Sequence, residues 1–324
     1  MRVVTAGILS VVLPAPTVMC EVFKETIMNK LLLVIVVTFA LSGIVHPVDS
    51  DTNGYKPSAN LVMLPPPLDT KSIPDLLAML HDSRPVYRAA AARELGKRKE
   101  STTIAPLKAL LSDGSPVVRL NVATALLGLE DLSAIPVLHV LLKSGPLMAK
   151  LGAAEALASH GDDSGLDIAR KELTSENWGI REEALSALAA SKNDAAAYAA
   201  LEAGIKDPQA HVRRSAVYLL GKRPGKRSVG MLGTGLTDPD RSVRWAAISS
   251  LVRIGSSDSI PHLLDALLDS DRSVSGAAAF GLNNLTGQTK RTVVFNPGQA
   301  EQLHAEWRAW WEANKDKPLP GEKK

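Results

Sequence analysis

The sequence predicts an all-α protein, a right-handed α-solenoid of about seven helical hairpins, each of 31 residues, closed by a C-terminal Trp-rich helix. Two series of repeated residues and the composition carry this expectation. An apolar or aromatic residue opens a segment at Ile73, Ile104, Ile135, Leu166, Tyr198, Val229 and Ile260, in steps of 31, 31, 31, 32, 31 and 31 residues. A second marker, Arg88, Arg119, Lys150, Arg181, Arg213, Arg244 and Ser275, keeps the same steps and the same one-residue slip between the fourth and fifth units. The composition agrees: aromatics are only 4% of 324 residues, and Ala-rich stretches suit helices whose axes approach closely. No stretch alternates apolar and polar residues well enough to build a sheet.

Ahead of the repeats, Met28-Asn29-Lys30 leads into an unbroken apolar run from Leu31 to Val45. A short basic start and roughly 15 apolar residues fit an export signal better than a spanning helix, which needs about 20. Residues 28–50 are therefore expected to be a signal peptide, with a membrane anchor through residues 31–45 as the alternative. Residues 1–27 are expected to be an upstream extension outside the mature protein. Residues 51–71, with Pro57 and Pro65-Pro66-Pro67, read as a semi-rigid linker. The single cysteine, Cys20, precedes the repeats, which excludes a disulfide framework and a Cys-based zinc site. The expected location is the periplasm or the extracellular space.

Within residues 72–287 each unit reads as two helices. The first carries apolar residues at helical spacing, as in Ile73-Pro74-Asp75-Leu76-Leu77, with proline in the first turn, where no backbone donor is lost. A turn such as Asp113-Gly114-Ser115-Pro116 follows, and the second helix begins near the basic marker. Three places beyond that marker stand Ala91, Val122, Ala153, Ala184, Ala216, Ala247 and Ala278. Seven places beyond it stand Leu95, Leu126, Leu157, Leu188, Leu220, Leu251 and Leu282. Offsets of −1, +3 and +7 make one helical face, which no single hairpin can bury alone. Gly96, Gly128 and Gly221 are expected to close their helices. Residues 288–317 then form a cap, with Asn296 as N-cap and Leu303, Trp307, Trp310 and Trp311 on one face, and residues 318–324 are expected to be a disordered, solvated tail.

The Asp-x5-Arg pattern (Asp82/Arg88, Asp113/Arg119, Asp207/Arg213, Asp238/Arg244), the Ile-Pro-x-Leu openings and the period resemble HEAT repeats, in the short form named for phycobilisome lyases. The resemblance covers about residues 71–287 and speaks for fold more than function. A marker copied into every unit fits a structural ladder of ion pairs better than a catalytic constellation, which is unique in a chain. The ladder is expected to break at Ser144/Lys150, Ser175/Arg181 and Asp269/Ser275.

No catalytic, cofactor or metal residue is expected. None of the seven histidines is followed by Glu, so the His-Glu pairs that the resemblance to HEAT-type hydroxylases would require are missing, and no phosphate loop or nucleophile elbow occurs. Offsets +1 and +5 of the second helices face away from the buried side, and in units five to seven they present Arg214, Tyr218, Trp245 and Phe280. Residues 204–253 add ten basic side chains, Lys222 and Arg223 among them, against three acids. Aromatics with Arg are the residue types enriched at binding hot spots. The expected function is a non-enzymatic scaffold of the cell envelope that holds a protein or extended peptide, acidic in character, on its concave face. Nucleic acid is not an expected partner, and membrane contact is expected only through the N-terminal segment. The alternatives are a nucleic-acid-binding protein of the HEAT-like DNA glycosylase type and a relative of the lyases or hydroxylases.

Overall fold

The computed structural model describes residues 68–290 and 297–320. The expected extension, signal and most of the linker, the cap residue Asn296 and the last four residues lie outside the described residues. Among the described residues there are fifteen α-helices and no strand. Fourteen form the seven expected hairpins: α1 (Ile73–Met79) with α2 (Pro85–Arg98), α3 (Ile104–Lys108) with α4 (Pro116–Gly128), α5 (Ile135–Ser144) with α6 (Leu147–Ser159), and α7 (Leu166–Glu172) with α8 (Trp178–Ala190). There follow α9 (Asp194–Gly204) with α10 (Ala210–Leu220), α11 (Lys226–Gly235) with α12 (Arg241–Ile254), and α13 (Ser259–Ala266) with α14 (Arg272–Thr286). The fifteenth, α15 (Pro297–Asn314), is the cap.

The helix starts follow local chemistry. Ser72 and Asp75 form a reciprocal capping box on α1, Asn177 and Asn193 cap α8 and α9, and Asp240 and Asp271 cap α12 and α14. Every small residue at +3 and every leucine at +7 is buried, as the repeat demands. Each second helix packs along the next second helix far more extensively than first helices pack on one another. The array therefore curves toward the second helices, with their +5 positions on the concave side; of the +1 positions, expected to face away from the buried side, Ala89 and Leu151 are instead buried in the core.

Size complementarity permits that tight inner packing. A Cβ on Gly96 would lie 2.7–2.8 Å from Ala125 Cβ and Cα, and one on Gly221 would lie 2.6–2.7 Å from the Ser250 side chain. Two pairs invert the order: Gly152 accepts the side chain of Leu120 and Gly281 that of Val252, each with a methyl carbon 2.6 Å from an added Cβ. This corrects the expected role of Gly96, whereas Gly221 is the C-cap residue of α10, as expected. Gly96 lies inside α2, Gly221 is right-handed, and the left-handed turns that end α2, α12 and α14 fall at Lys99, Gly255 and Gly287.

The Asp/Arg ladder is present, and its pairing runs between units. Arg88 makes a two-pronged pair with Asp113 of the next unit (2.8 and 2.9 Å), while its third nitrogen donates to the Asp82 carbonyl of its own turn at 2.8 Å. Arg181–Asp207, Arg213–Asp238 and Arg244–Asp269 repeat the arrangement. Two of the expected breaks are therefore not breaks. Arg181 is braced by Asp207, and Asp269 serves Arg244, because a unit's arginine needs the following unit's carboxylate rather than its own. The gaps lie elsewhere. Arg119 bonds only the carbonyls of its own turn, since Ser144 stands where the next carboxylate would be, and Ser175 likewise replaces the carboxylate that would serve Lys150. Both gaps flank α6, where the core also divides: Ala149, Ala153 and Leu157 join the N-terminal cluster and Leu151, Ala154 and Ala158 the C-terminal one. Lys108–Asp131 and His139–Asp162 tie these units instead, with more exposed side chains.

At the C-terminal end Trp307 is fully buried, Leu303 nearly so, and Trp310 and Trp311 pack partly buried against the same core. Two expected boundaries need correction. Leu319 is buried in this core, so the chain beyond 317 does not run free from Pro318. Leu68 is also buried, and the Leu68 and Asp69 carbonyls accept hydrogen bonds from Arg98, so the end of the expected linker belongs to the folded unit.

Candidate binding groove

The concave stripe changes character along the array, as its residues anticipate. Over units five to seven it is aromatic and basic. Tyr218, Trp245 and Phe280 are 45%, 49% and 59% exposed, far more than large apolar side chains need to be in a packed solenoid. Lys222 and Arg253 both lie 4.6 Å from the Tyr218 ring, so the tyrosine is held in place by two cations. Arg214 is exposed and touches His211, which stacks on Trp178 at 5.2 Å. Arg223 differs from its neighbours. Its guanidinium donates to the Ala189 and Ser191 carbonyls and pairs with Asp194, so its donors are spent in joining units four and five.

Over units one to four the stripe forms a cleft of about 580 Å³ across α2, α4, α6 and α8. Its floor is shallow in side chains, with Gly96, Gly128 and Gly152 along it. Arg93 stands at one end and makes no hydrogen bond or ion pair. Glu155 and Glu183 stand at the other, half-buried, and no hydrogen bond satisfies either carboxylate. Burial pushes the Glu155 carboxyl above the usual range, although the Lys222 ammonium two units along opposes this. Burial also raises Glu183, and the nearby carboxylates of Glu155 and Glu182 raise it further. Glu182 itself accepts a hydrogen bond from Ser215.

The family model for HEAT repeats matches residues 73–147, 135–220 and 198–283, which together span most of the chain. The chain belongs to the HEAT-repeat family. Among solved structures, this HEAT-repeat chain is similar to the complex of CpcE and CpcF of phycocyanin lyase from Nostoc sp. PCC7120, at 22% identity and a TM-score of 0.42, covering 78% of this chain and 98% of that one. It is also similar to human deoxyhypusine hydroxylase, at 20% identity and a TM-score of 0.34, covering 66% of this chain and 84% of that one. No curated protein matches the sequence.

Within the HEAT-repeat frame, the sequence placed Tyr218, Trp245, Phe280 and Arg214 on one exposed surface. It did not bring Glu183 together with Glu155 and Arg93. The signal was available: 155 and 93 both occupy offset +5, and 183 occupies +2, on the same side of their helices. Among the described residues no group of three or more His, Cys, Asp or Glu is placed to hold a metal ion.

The cleft carries a stability cost that can be measured. A carboxyl whose folded value is raised leaves stability untouched below the ordinary carboxylate range and erodes it as pH climbs through that range. Replacing Glu155 by Gln removes that erosion. In thermal melts Glu155→Gln is expected to outlast the parent at pH 8 and to melt with it at pH 4.

Proposed function

We propose that this HEAT-repeat protein is a non-enzymatic interaction scaffold of the cell envelope that binds an extended protein segment along its concave face. The observation that carries this reading is the row of exposed rings, Tyr218, Trp245 and Phe280, on consecutive second helices. Exposing such rings to water has a hydrophobic cost that a partner's docking would remove. The cations around the row (Arg214, Lys222, Arg253) favour a segment of acidic character there. The ladder beneath the row keeps the units in register, so the surface is pre-organised. Residues 31–45 support placement in the envelope, by cleavage after export or by anchorage.

Crosslinking and pull-down from the envelope fraction, with the tagged parent and Trp245→Ala/Phe280→Ala, tests the reading. Both side chains project into solvent, so the variant is expected to keep its fold by circular dichroism and to lose most of the captured partner. Equal capture by a folded variant, or recovery of the protein from the cytoplasmic fraction alone, would sink it.

A further inference from the structure

The cleft over units one to four is not explained by the aromatic row. Its ends carry opposite charge, short side chains line it between them, and its carboxylates are half-buried without hydrogen-bond partners in the chain. The paired ladder arginines elsewhere in the array are saturated: Arg88 and Arg213, for example, spend their donors on a carboxylate and two carbonyls. Glu155 and Glu183 contribute no such brace. Both carboxylates keep access to water, but partial burial disfavours their ionised forms and so holds each charge at a cost. A cation arriving from outside is the complement that removes it.

Spacing adds a second constraint. Arg93 on α2 and Glu155 on α6 are separated by two helix–helix steps, each about 8–10 Å, or roughly 18 Å in all. An extended chain covers about 3.3 Å per residue, so that distance corresponds to five or six residues. Between the charged ends the cleft is lined largely by short side chains, Thr124, Ala125, Ala156 and Ser159 among them, so a main chain can lie close to the helices. A compact small molecule could satisfy one end of this cleft and leave the other unpaired.

We propose that the cleft is a subsite for an extended polypeptide, whose Lys or Arg side chain enters between Glu155 and Glu183 while an acidic side chain five or six residues away meets Arg93. This deepens the scaffold reading and rests on it, naming the charge pattern of the segment that the groove accepts. The ammonium or guanidinium replaces water at both carboxylates, and the chain continues toward Lys222 and the aromatic row. No bond is made or broken.

Two fluorescein-labelled synthetic peptides test the subsite. One is a Gly/Ser/Ala twelve-mer carrying one Lys and one Asp six residues apart. The other has norleucine in place of the Lys. Anisotropy titrations on the folded chain at low salt are expected to show the Lys peptide binding about tenfold more tightly, since a charge-assisted hydrogen bond contributes about 1.5–3 kcal/mol. Glu155→Gln/Glu183→Gln is expected to abolish the difference, and Arg93→Ala is expected to weaken the Lys peptide while leaving the Lys preference. Equal binding of both peptides, binding of neither, or a Lys preference that survives the double Gln variant would overturn the proposal. Trp245→Ala/Phe280→Ala is expected to keep the Lys preference. A scaffold reading that fails at the aromatic row is thereby separated from a cleft that fails at its carboxylates.

Discussion

Replacing Asp207 by Ala is expected to destabilise the array by about 3–5 kcal/mol, because it breaks a buried ion pair from one side only. The Asp207 carboxylate takes two hydrogen bonds from Arg181, at 2.7 and 2.8 Å, and a third from the Gln209 amide at 2.8 Å. The two charged side chains are only 9% and 11% exposed, so the guanidinium left behind has little access to water. Burial works against ionisation of Asp207, but Arg181 and the Gln209 amide outweigh it and hold its carboxyl below the usual range. A depressed folded value gives stability that is present above the ordinary carboxylate range and lost as pH falls through the folded value. The gap between parent and variant in urea melts is therefore expected to be full at pH 7 and to close under strongly acidic conditions. Because units couple only to their neighbours, the variant is also expected to melt in two steps, with units one to four parting from units five to seven. Asp207→Asn, which keeps an acceptor, is expected to fall between the two.

The second large effect is expected at the cap. Trp307 is fully buried, packs edge-on against Trp310 at 5.6 Å, and is among the largest wholly enclosed side chains of the fold. Trp307→Ala is expected to cost about 3–5 kcal/mol, the usual range for emptying a large aromatic site. The consequence should be local. With α15 loosened, the outer face of α13 meets solvent, so hydrogen exchange is expected to accelerate in α13 and α14 while α2 and α4 keep their protection. The newly exposed apolar end should also raise the tendency to self-associate, readable by light scattering. Uniform acceleration along the whole array would contradict the assignment of α15 as a terminal cap.

Most of the architecture was legible because a repeat reports each decision seven times. The buried offsets +3 and +7 are recoverable from any two units, and all seven units obey them. The ladder was legible in its residue types but not in its partners. Asp-x5-Arg looks like a pair within one unit, whereas the arginine reaches forward across about 25 residues to the next turn, as Arg88 does to Asp113. Sequence spacing cannot distinguish those two options, since both repeat with the same period. The role of Gly96 was missed, and the close approach at the C-cap Gly221 went unseen, for a related reason. A glycine near a helix end satisfies both the turn rule and the close-approach rule, and only the position of Ala125 or Ser250 decides between them. Leu319 escaped because a single apolar residue among prolines and lysines has no period to betray it. In the groove, the exposed aromatics stood out by type. Glu155, Glu183 and Arg93 did not, since ordinary charged residues gain meaning only when curvature gathers three or four units around one space.

The ladder gaps on either side of α6 have a mechanical consequence. Units joined in a row deform like springs in series, so bending concentrates where the joints are softest. Braced joints stand at units one to two and again from four through seven, while both joints of unit three lack the two-pronged pair. The repeat array is thus two stiff arms meeting at one compliant elbow. The cleft from Arg93 to Glu183 lies across that elbow, and any strand seated there acts as a splint.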